Sequence, residues 1–362
     1  MGENAYIKLR EQLDQYSNGF PETASGVELR MLKKLFTEDE AEMYLIMTMM
    51  PETAEQAAQR TGRDLEETRA LLDRMGEKGL LFRATMKGET MYMVFGFTTG
   101  IYEFQLKTFD EEFAKLYEEF YTEAYFQNMR LTPTQHVPIP VHRVVETPHP
   151  RPSYEDSREI VKAQKLIAAV DCVCRVQRGL AGGDCDKPVE VCLMFGAHAK
   201  YYIERGIGRE VSAEEALDIL DQCEKAGLVT QPHNSQTPGN ICNCCSDCCM
   251  YLRSLKQHPK PAEVIQANYE ARVDPDACQA CETCLDRCQM EAIAMNEAGL
   301  AEVNPDRCIG CGLCTTTCPT EAITLEAKPE AARRTPPKTA QDLYMQLSQN
   351  RGTSLMPLAM MK

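Results

Sequence analysis

Eighteen cysteines are spread unevenly along this 362-residue chain, and eight of them near its end form one pattern written twice. Cys278, Cys281, Cys284 and Cys288 read C-x2-C-x2-C-x3-C, and thirty residues on Cys308, Cys311, Cys314 and Cys318 repeat it. The flanks repeat too: Val273-Asp274-Pro275-Asp276 matches Val303-Asn304-Pro305-Asp306, and Glu291-Ala292-Ile293 matches Glu321-Ala322-Ile323. Thiolates at this spacing can surround an iron–sulfur cube, and two copies place two cubes side by side. Zinc sites instead favour two CxxC pairs about a dozen or more residues apart. The chemistry in prospect is one-electron transfer, with a purely structural or sensory role for the cubes as the competing reading.

A second set of cysteines lies in the middle of the chain and does not repeat. Cys172, Cys174, Cys185 and Cys192 form one clump; Cys242, Cys244, Cys245, Cys248 and Cys249 put five thiols into eight residues. Free thiols at that density oxidise easily, so the clump points to a bound metal. The expectation is one or two further [4Fe-4S] clusters, with zinc, an unusual cluster or a redox dithiol as alternatives. Cys242, Cys245 and Cys248 carry the C-x2-C-x2-C phase and are the first choice of ligands; Cys172, Cys174 and Cys185 are the second. Cys192, ahead of Leu193-Met194-Phe195, reads equally as a ligand or as a buried apolar thiol. Cys223 falls on the apolar face of a helix with Ala216, Leu217 and Leu220 and reads as core. Arg175 and Arg178 follow the first cysteine pair and could offset thiolate charge or hydrogen-bond to sulfur.

The C-terminal repeat, over about 55 residues, resembles the bacterial two-cluster ferredoxins. The resemblance implies a βαβ-βαβ pseudo-two-fold fold in which the fourth cysteine of each run ligates the other cluster. One cluster would then take Cys278, Cys281, Cys284 and Cys318, and the other Cys308, Cys311, Cys314 and Cys288. Gly310 and Gly312 would let the loop curl around sulfur. Pro319 follows the fourth cysteine of the second run as that family expects, whereas Gln289 stands at the matching position of the first. The whole chain also resembles ferredoxin-domain proteins of anaerobic bacteria that carry a winged-helix-like segment ahead of their cysteine-rich parts.

The positioning elements read as an α+β multidomain chain. Residues 1–130 hold a first helix of about 20 residues, then helix, helix, helix and a hairpin around Lys87-Gly88-Glu89, an order that resembles a winged helix, followed by an aromatic-rich helix pair over 101–130. Thr53 precedes a helix at 54–61, and Asp64 caps another that runs to Gly79. Residues 131–152 hold six prolines and predict an extended surface connector, which would carry His136, His142 and His149 without a common metal spacing. Residues 153–269 predict a cysteine-rich, α-helical metal-binding domain, with a helix over 153–170 and another opened by the capping box Ser212-Ala213-Glu214-Glu215. Residues 270–327 are the ferredoxin-like domain, and 328–362 a tail that is partly disordered or wraps a partner. Met43, Met47, Met49 and Met50 read as core.

Composition narrows the function. A net charge of −15 argues against general affinity for nucleic acid or anionic lipid. The candidate recognition helix, 64–78, sets Arg69, Arg74 and Lys78 against five acidic residues, so DNA binding is the weaker reading and residues 1–130 read as a docking or dimerisation domain. No apolar run spans a bilayer, the N-terminus has no signal region, and thiol-rich composition points to a reducing, cytoplasmic setting. No P-loop, G-x-G-x-x-G or G-x-S-x-G motif is present. Residues 270–327 carry eleven Asp/Glu against three Arg, a net of −8, which favours a basic redox partner. The expectation is an electron-transfer subunit of a hetero-oligomeric oxidoreductase complex. A redox-responsive DNA-binding regulator, an enzyme with substrate at a middle cluster, and a metallochaperone are the alternatives.

Overall fold

A computed structural model of the chain describes residues 2–86, 88–141 and 152–361. His142 and His149 lie outside the described residues. The architecture is mixed, with helices gathered at the N-terminal end and small antiparallel sheets elsewhere.

The N-terminal helices start where side chains can satisfy their free N–H groups. Thr37 accepts from Glu40 N at 3.3 Å while the Glu40 carboxylate accepts from Thr37 N at 2.9 Å, opening the Glu38–Ile46 helix. Thr53 and Gln56 do the same for Ala54–Thr61, and Asp64 caps Leu65–Lys78, which ends at Gly79 in the left-handed region (φ 74°). The hairpin of β1 (Phe82–Met86) and β2 (Glu89–Met93) follows as expected. The Gly2–Gln15 helix packs on Glu38–Ile46 and on a further helix, Val27–Leu35, and its Leu9 and Leu13 are fully buried. The aromatic segment is not a helix pair: its long element is Glu111–Phe120, which runs on through a π-turn to Asn128.

The middle region departs from the all-helical expectation. It is built on a five-stranded antiparallel sheet in the order β5-β3-β4-β7-β6, formed by Ile167–Asp171 (β3), Glu190–Phe195 (β4), Arg209–Val211 (β5), Val229–Pro232 (β6) and Asn240–Cys244 (β7). The helix expected over 153–170 stops at Lys162, and the apolar run Ile167-Ala168-Ala169-Val170 becomes β3, buried in mid-sheet. Such a short run carries no period that separates a strand from a helix. The Ser212-capped helix is present as Ala213–Lys225, with Cys223 in the core as expected, where burial pushes its thiol up to about 12.

Two further expectations are overturned. The described part of the proline-rich connector is not on the surface: Thr134, Gln135, His136, Ile139 and Val141 are buried. Val137 N and Ile139 N donate to Pro232 O and Thr230 O, so the segment runs along the free edge of β6 as a sixth, irregular strand. Prolines fit an edge because their missing N–H faces away from the ladder. The tail is also ordered and wraps its own chain. Its Ala340–Arg351 helix, boxed by Thr339 and Asp342, is fastened to the first helix by Arg351 to Asp14 at 3.2 Å and by Thr353 Oγ1 donating to Gln15 O.

The C-terminal domain has β8 (Tyr269–Val273) paired with β11 (Ile323–Ala327), and β9 (Ile293–Met295) paired with β10 (Ala301–Val303). Its two halves reproduce each other in detail: Asp274 N donates to Ala322 O, and thirty residues on Asn304 N donates to Ala292 O. Among the described residues no helix is long and apolar enough to cross a membrane.

Leu343 and Leu347 dock the tail helix and are at most 1% exposed. Truncating either to alanine should loosen that helix by about 2–5 kcal/mol. The expected readout is faster amide exchange over 340–351, with the hairpin and C-terminal domain unchanged.

Candidate metal centres

The crossed thiol sets implied by the ferredoxin resemblance are each gathered around a small cavity. One is lined by Cys278, Cys281, Cys284 and Cys318 and the other by Cys288, Cys308, Cys311 and Cys314. Backbone amides point at the sulfurs: Ala292 N donates to Cys288 Sγ at 3.2 Å and Ala271 N to Cys308 Sγ at 3.4 Å. Such bonds favour thiolate and tune a bound cluster. The loops take left-handed backbone at matching places, Ala280 and Glu282 in the first run (φ 54° and 62°), Gly310 and Gly312 in the second (φ 68° and 75°). The residue types differ because the surroundings differ. A Cβ at Gly310 would sit 2.5 Å from Tyr269 O, and one at Gly312 would press on Val141 and Leu325. The first loop has no such wall, and Cys281 is exposed. The residues present therefore fit two cubes, an outer one at the surface and an inner one against the body.

Gln289 acquires a reason in the same region. Its side chain accepts from Ser246 N at 2.7 Å and donates to Gly227 O at 3.0 Å. A proline there, as the resemblance led one to expect, could make neither bond. Arg287 adds donations to Glu224 O and Lys225 O. The inner cage is thereby fastened to the loop that carries Cys245 and Cys248.

In the middle region the nine cysteines divide six and three, and not by the C-x2-C phase. Cys172, Cys174, Cys249, Cys244, Cys242 and Cys192 form a closed ring in which each thiol lies within hydrogen-bonding reach of two others. The ring follows from strand periodicity, since alternate residues share one face of a sheet. Val170 pairs with Cys192 and Cys242 with Gln231, and Leu193 opposite Ile241 puts Cys192 across from Cys242. Cys244 is two residues along the same strand. Cys172 follows β3 directly at the N-cap position of the Val173–Leu180 helix, Cys174 lies in that helix's first turn, and Cys249 holds the N-cap position of the Met250–Lys256 helix. The Ala213–Lys225 helix also packs on β3, β4 and β6, and none of its residues reaches the ring, so it covers the other face.

The remaining three, Cys185, Cys245 and Cys248, hold their sulfurs within 4.8 Å of one another. Cys185 and Cys245 stand 3.7 Å apart, close to the edge of a tetrahedron of thiolates about 2.3 Å from a single ion. Arg175 Nη2 donates to Cys245 Sγ at 3.4 Å. The Cys248 thiol and then that guanidinium hold Cys245 well below the usual thiol range. Arg178 does not reach sulfur and pairs with Glu118 at 3.1 Å. Thus Cys242, Cys245 and Cys248 do not converge, nor do Cys172, Cys174 and Cys185, and Cys192 belongs to the ring.

The ring opens onto a cavity of about 490 Å3 that sequence reasoning did not anticipate. The sheet forms its floor. Thr48–Pro51, Met93–Phe95 and Thr99–Phe104 form one wall, and the tail helix contributes Ala340, Gln341, Tyr344 and Met345. His136, His198 and His233 line it, and burial holds His136 and His198 down at about 4 and His233 at about 3, so all are neutral at pH 7. Burial raises the Glu103 carboxyl to about 7, even though Gly100 N donates to it at 2.8 Å. His136 Nδ1, Gln231 Oε1 and His233 Nε2 are buried without a partner among the described residues, a condition that costs about 1–3 kcal/mol per group in a closed protein.

Residues 271–325 match the family described as a 4Fe-4S dicluster domain. No curated protein and no solved structure matches the chain significantly. The matched segment is the twofold thiol repeat, so the C-terminal domain is a ferredoxin-like iron–sulfur domain, of a kind suited to electron transfer.

Gly310→Ala puts a methyl group against Tyr269 O and should remove most of the inner cluster's iron, whereas Ala280→Gly, at the equivalent place, should keep both clusters. Iron and acid-labile sulfide on anaerobically purified protein measure the difference.

Proposed function

We propose that this chain is a multi-cluster electron carrier that takes single electrons from a basic partner at the outer cage and passes them inward to the cysteine-rich sheet. The observation that carries this reading is the fastening of the inner cage to the Cys245–Cys248 loop through Gln289. When bound, the clusters supply reversible one-electron chemistry. The polypeptide does the rest: crossed cysteines tie the two halves of the domain together, so folding and metal binding are coupled. Buried walls keep the inner cage dry, and the exposed Cys281 loop leaves the outer cage in reach of a partner. In this reading the six-thiol ring holds a further cluster, and Cys185, Cys245 and Cys248 hold a metal on three thiolates.

Charge supports the choice of partner. Of the three arginines in the acidic domain, Arg287 and Arg307 are turned inward onto carbonyl oxygens, Arg307 onto Met290 O, His258 O and Lys256 O. Glu282 lies beside Cys281 on the outer cage, and Asp276, Glu297 and Glu302 of the same domain are exposed as well. Such a field speeds encounter with a positive surface and is screened by salt. The chain would act inside a larger oxidoreductase assembly in a reducing, cytoplasmic setting, as its relatives by resemblance from anaerobes suggest.

The N-terminal helices and hairpin have the element order of a winged helix. A DNA-binding role is disfavoured because the basic side chains of the candidate recognition helix are engaged: Arg69 with Glu55, Arg74 with Asp39 and Glu40, Lys78 with Glu40. A tight, sequence-selective shift in an electrophoretic assay at modest salt would reverse that judgement.

Protein purified without oxygen should contain more than about eight irons per chain, two cubes accounting for eight. Its EPR signals should appear on dithionite reduction, and a colourless protein that accepts no electron removes the reading. Glu282→Lys combined with Glu297→Lys should slow reduction by a basic donor protein roughly three- to tenfold at low salt, and the gap should close at about 0.5 M salt.

A further inference from the structure

We propose that the cavity over the six-thiol ring is a reductive substrate site, built for a compact, uncharged and largely apolar molecule with a reducible multiple bond. The proposal rests on the reading of the ring as a metal site given above.

Size separates holding a metal from holding a substrate. The cavity measures about 490 Å3, while the two four-thiol cages of the C-terminal domain enclose about 20 Å3 each. A thiolate cage thus takes a small part of the space, and what remains is of the order found for ligand pockets, roughly 300–1,000 Å3. A carrier that only stores electrons gains nothing from such a void beside its metal, because water admitted there raises the local dielectric and opens side reactions.

Charge and polarity define the occupant. No Lys or Arg is among the described residues that line the cavity, so a phosphate or carboxylate would enter without a counter-charge, at a large desolvation cost. Three lining side chains, His136, Gln231 and His233, keep a buried polar atom with no partner among the described residues. They suit an occupant, or a water held beside it, that makes a few hydrogen bonds. The mouth is soft and apolar: Met50, Met345 and Met356 are 58%, 42% and 52% exposed. Gln341 Nε2 of the tail helix meets Met50 Sδ at 3.7 Å across it. Methionine side chains adapt to varied apolar shapes.

The reaction balances with groups already named. A bond X=Y takes two electrons and two protons to become HX–YH: the π bond breaks and one bond to hydrogen forms at each atom. The electrons arrive singly from the partner protein that reduces the outer cage. One proton comes from the Glu103 carboxyl, held in the cavity wall by Gly100 N, and the other from water. Solvent then reprotonates Glu103. Here Glu103 is a catalytic residue, and the ring cysteines would hold a metal beside the substrate and supply it with electrons.

The test uses the full chain, purified anaerobically and reduced with dithionite, and tert-butyl isocyanide as the probe, a neutral apolar molecule that binds reduced iron. The isocyanide should change the EPR of the middle centre saturably, and cyanide, its anionic counterpart, should bind more weakly. Gln341→Trp, an exposed position on the mouth, should raise the isocyanide Kd at least about tenfold with iron content unchanged. A middle centre rich in iron but blind to isocyanide overturns this proposal alone, as does a Gln341→Trp variant of unaltered affinity or a preference for cyanide. An iron content that stops at about eight per chain removes the ring's metal, and the proposal falls together with the reading it rests on.

Discussion

Thiols crowded together out of water cannot all carry charge, and that constraint organises this molecule. In the six-membered ring each sulfur has two others within hydrogen-bonding reach, so a thiolate at one place is favoured by S–H donors beside it and disfavours a second thiolate next door. Two of the six are favoured as thiolates at the expense of the rest: hydrogen bonds from their neighbours pull Cys172 and Cys244 down, while Cys174, Cys192, Cys242 and Cys249 are pushed up. Only a bound cation lets most of the ring ionise together. Metal binding would then release protons and stabilise the fold in one step. A bound metal would satisfy the buried floor of the middle sheet in a way that side-chain packing alone cannot reproduce.

The same constraint explains what could be seen in advance. The C-terminal cages are made of residues close in sequence, and their three-residue phase survives folding because loops, not strands, carry the sulfurs. Caps were equally local, and Thr53, Asp64 and Ser212 start the helices expected of them. The middle ring is assembled across 78 positions, from Cys172 to Cys249, by the alternation of β4 and β7 and by the order of a sheet no short window reveals. There the three-residue phase of Cys242, Cys245 and Cys248 was a coincidence. The Cys242-x-Cys244 alternation was the signal that mattered, and it becomes legible only once Asn240–Cys244 is known to be a strand. The connector failed for a related reason: its prolines exclude helix and a central strand, but not an edge.

The repeat within the C-terminal domain shows how one loop design is fitted to two environments. Positive φ recurs thirty residues apart, yet glycine is used only where Tyr269, Val141 and Leu325 close in. Ala280 and Glu282 accept the strained backbone where nothing presses on them. The difference marks the inner and the outer cage without reference to any partner. Gln289 completes the asymmetry by linking the inner half to the sheet. The internal symmetry that makes two cages is therefore broken in a consistent direction, from solvent toward the middle of the protein.

That direction gives the N-terminal region a physical role of its own. Its helices share one continuous core with the sulfur-bearing domain, through Tyr117 OH donating to Met250 Sδ and Tyr121 OH to Met250 O beside Cys249. Its segments 48–51, 93–95 and 99–104 are the wall that faces the ring, and the tail helix is latched to its first helix. A module that only recruits a partner would leave its apolar faces toward that partner. Here Tyr102, Tyr117, Phe120 and Tyr125 are buried within the chain. The N-terminal helices and the tail together make the enclosure, and the proton-bearing carboxyl of Glu103 is held on their side of it. In the proposed reading, electrons would reach the cavity from the sulfur side and protons from the helical side. Such a division of approach keeps the two from meeting before an occupant is present.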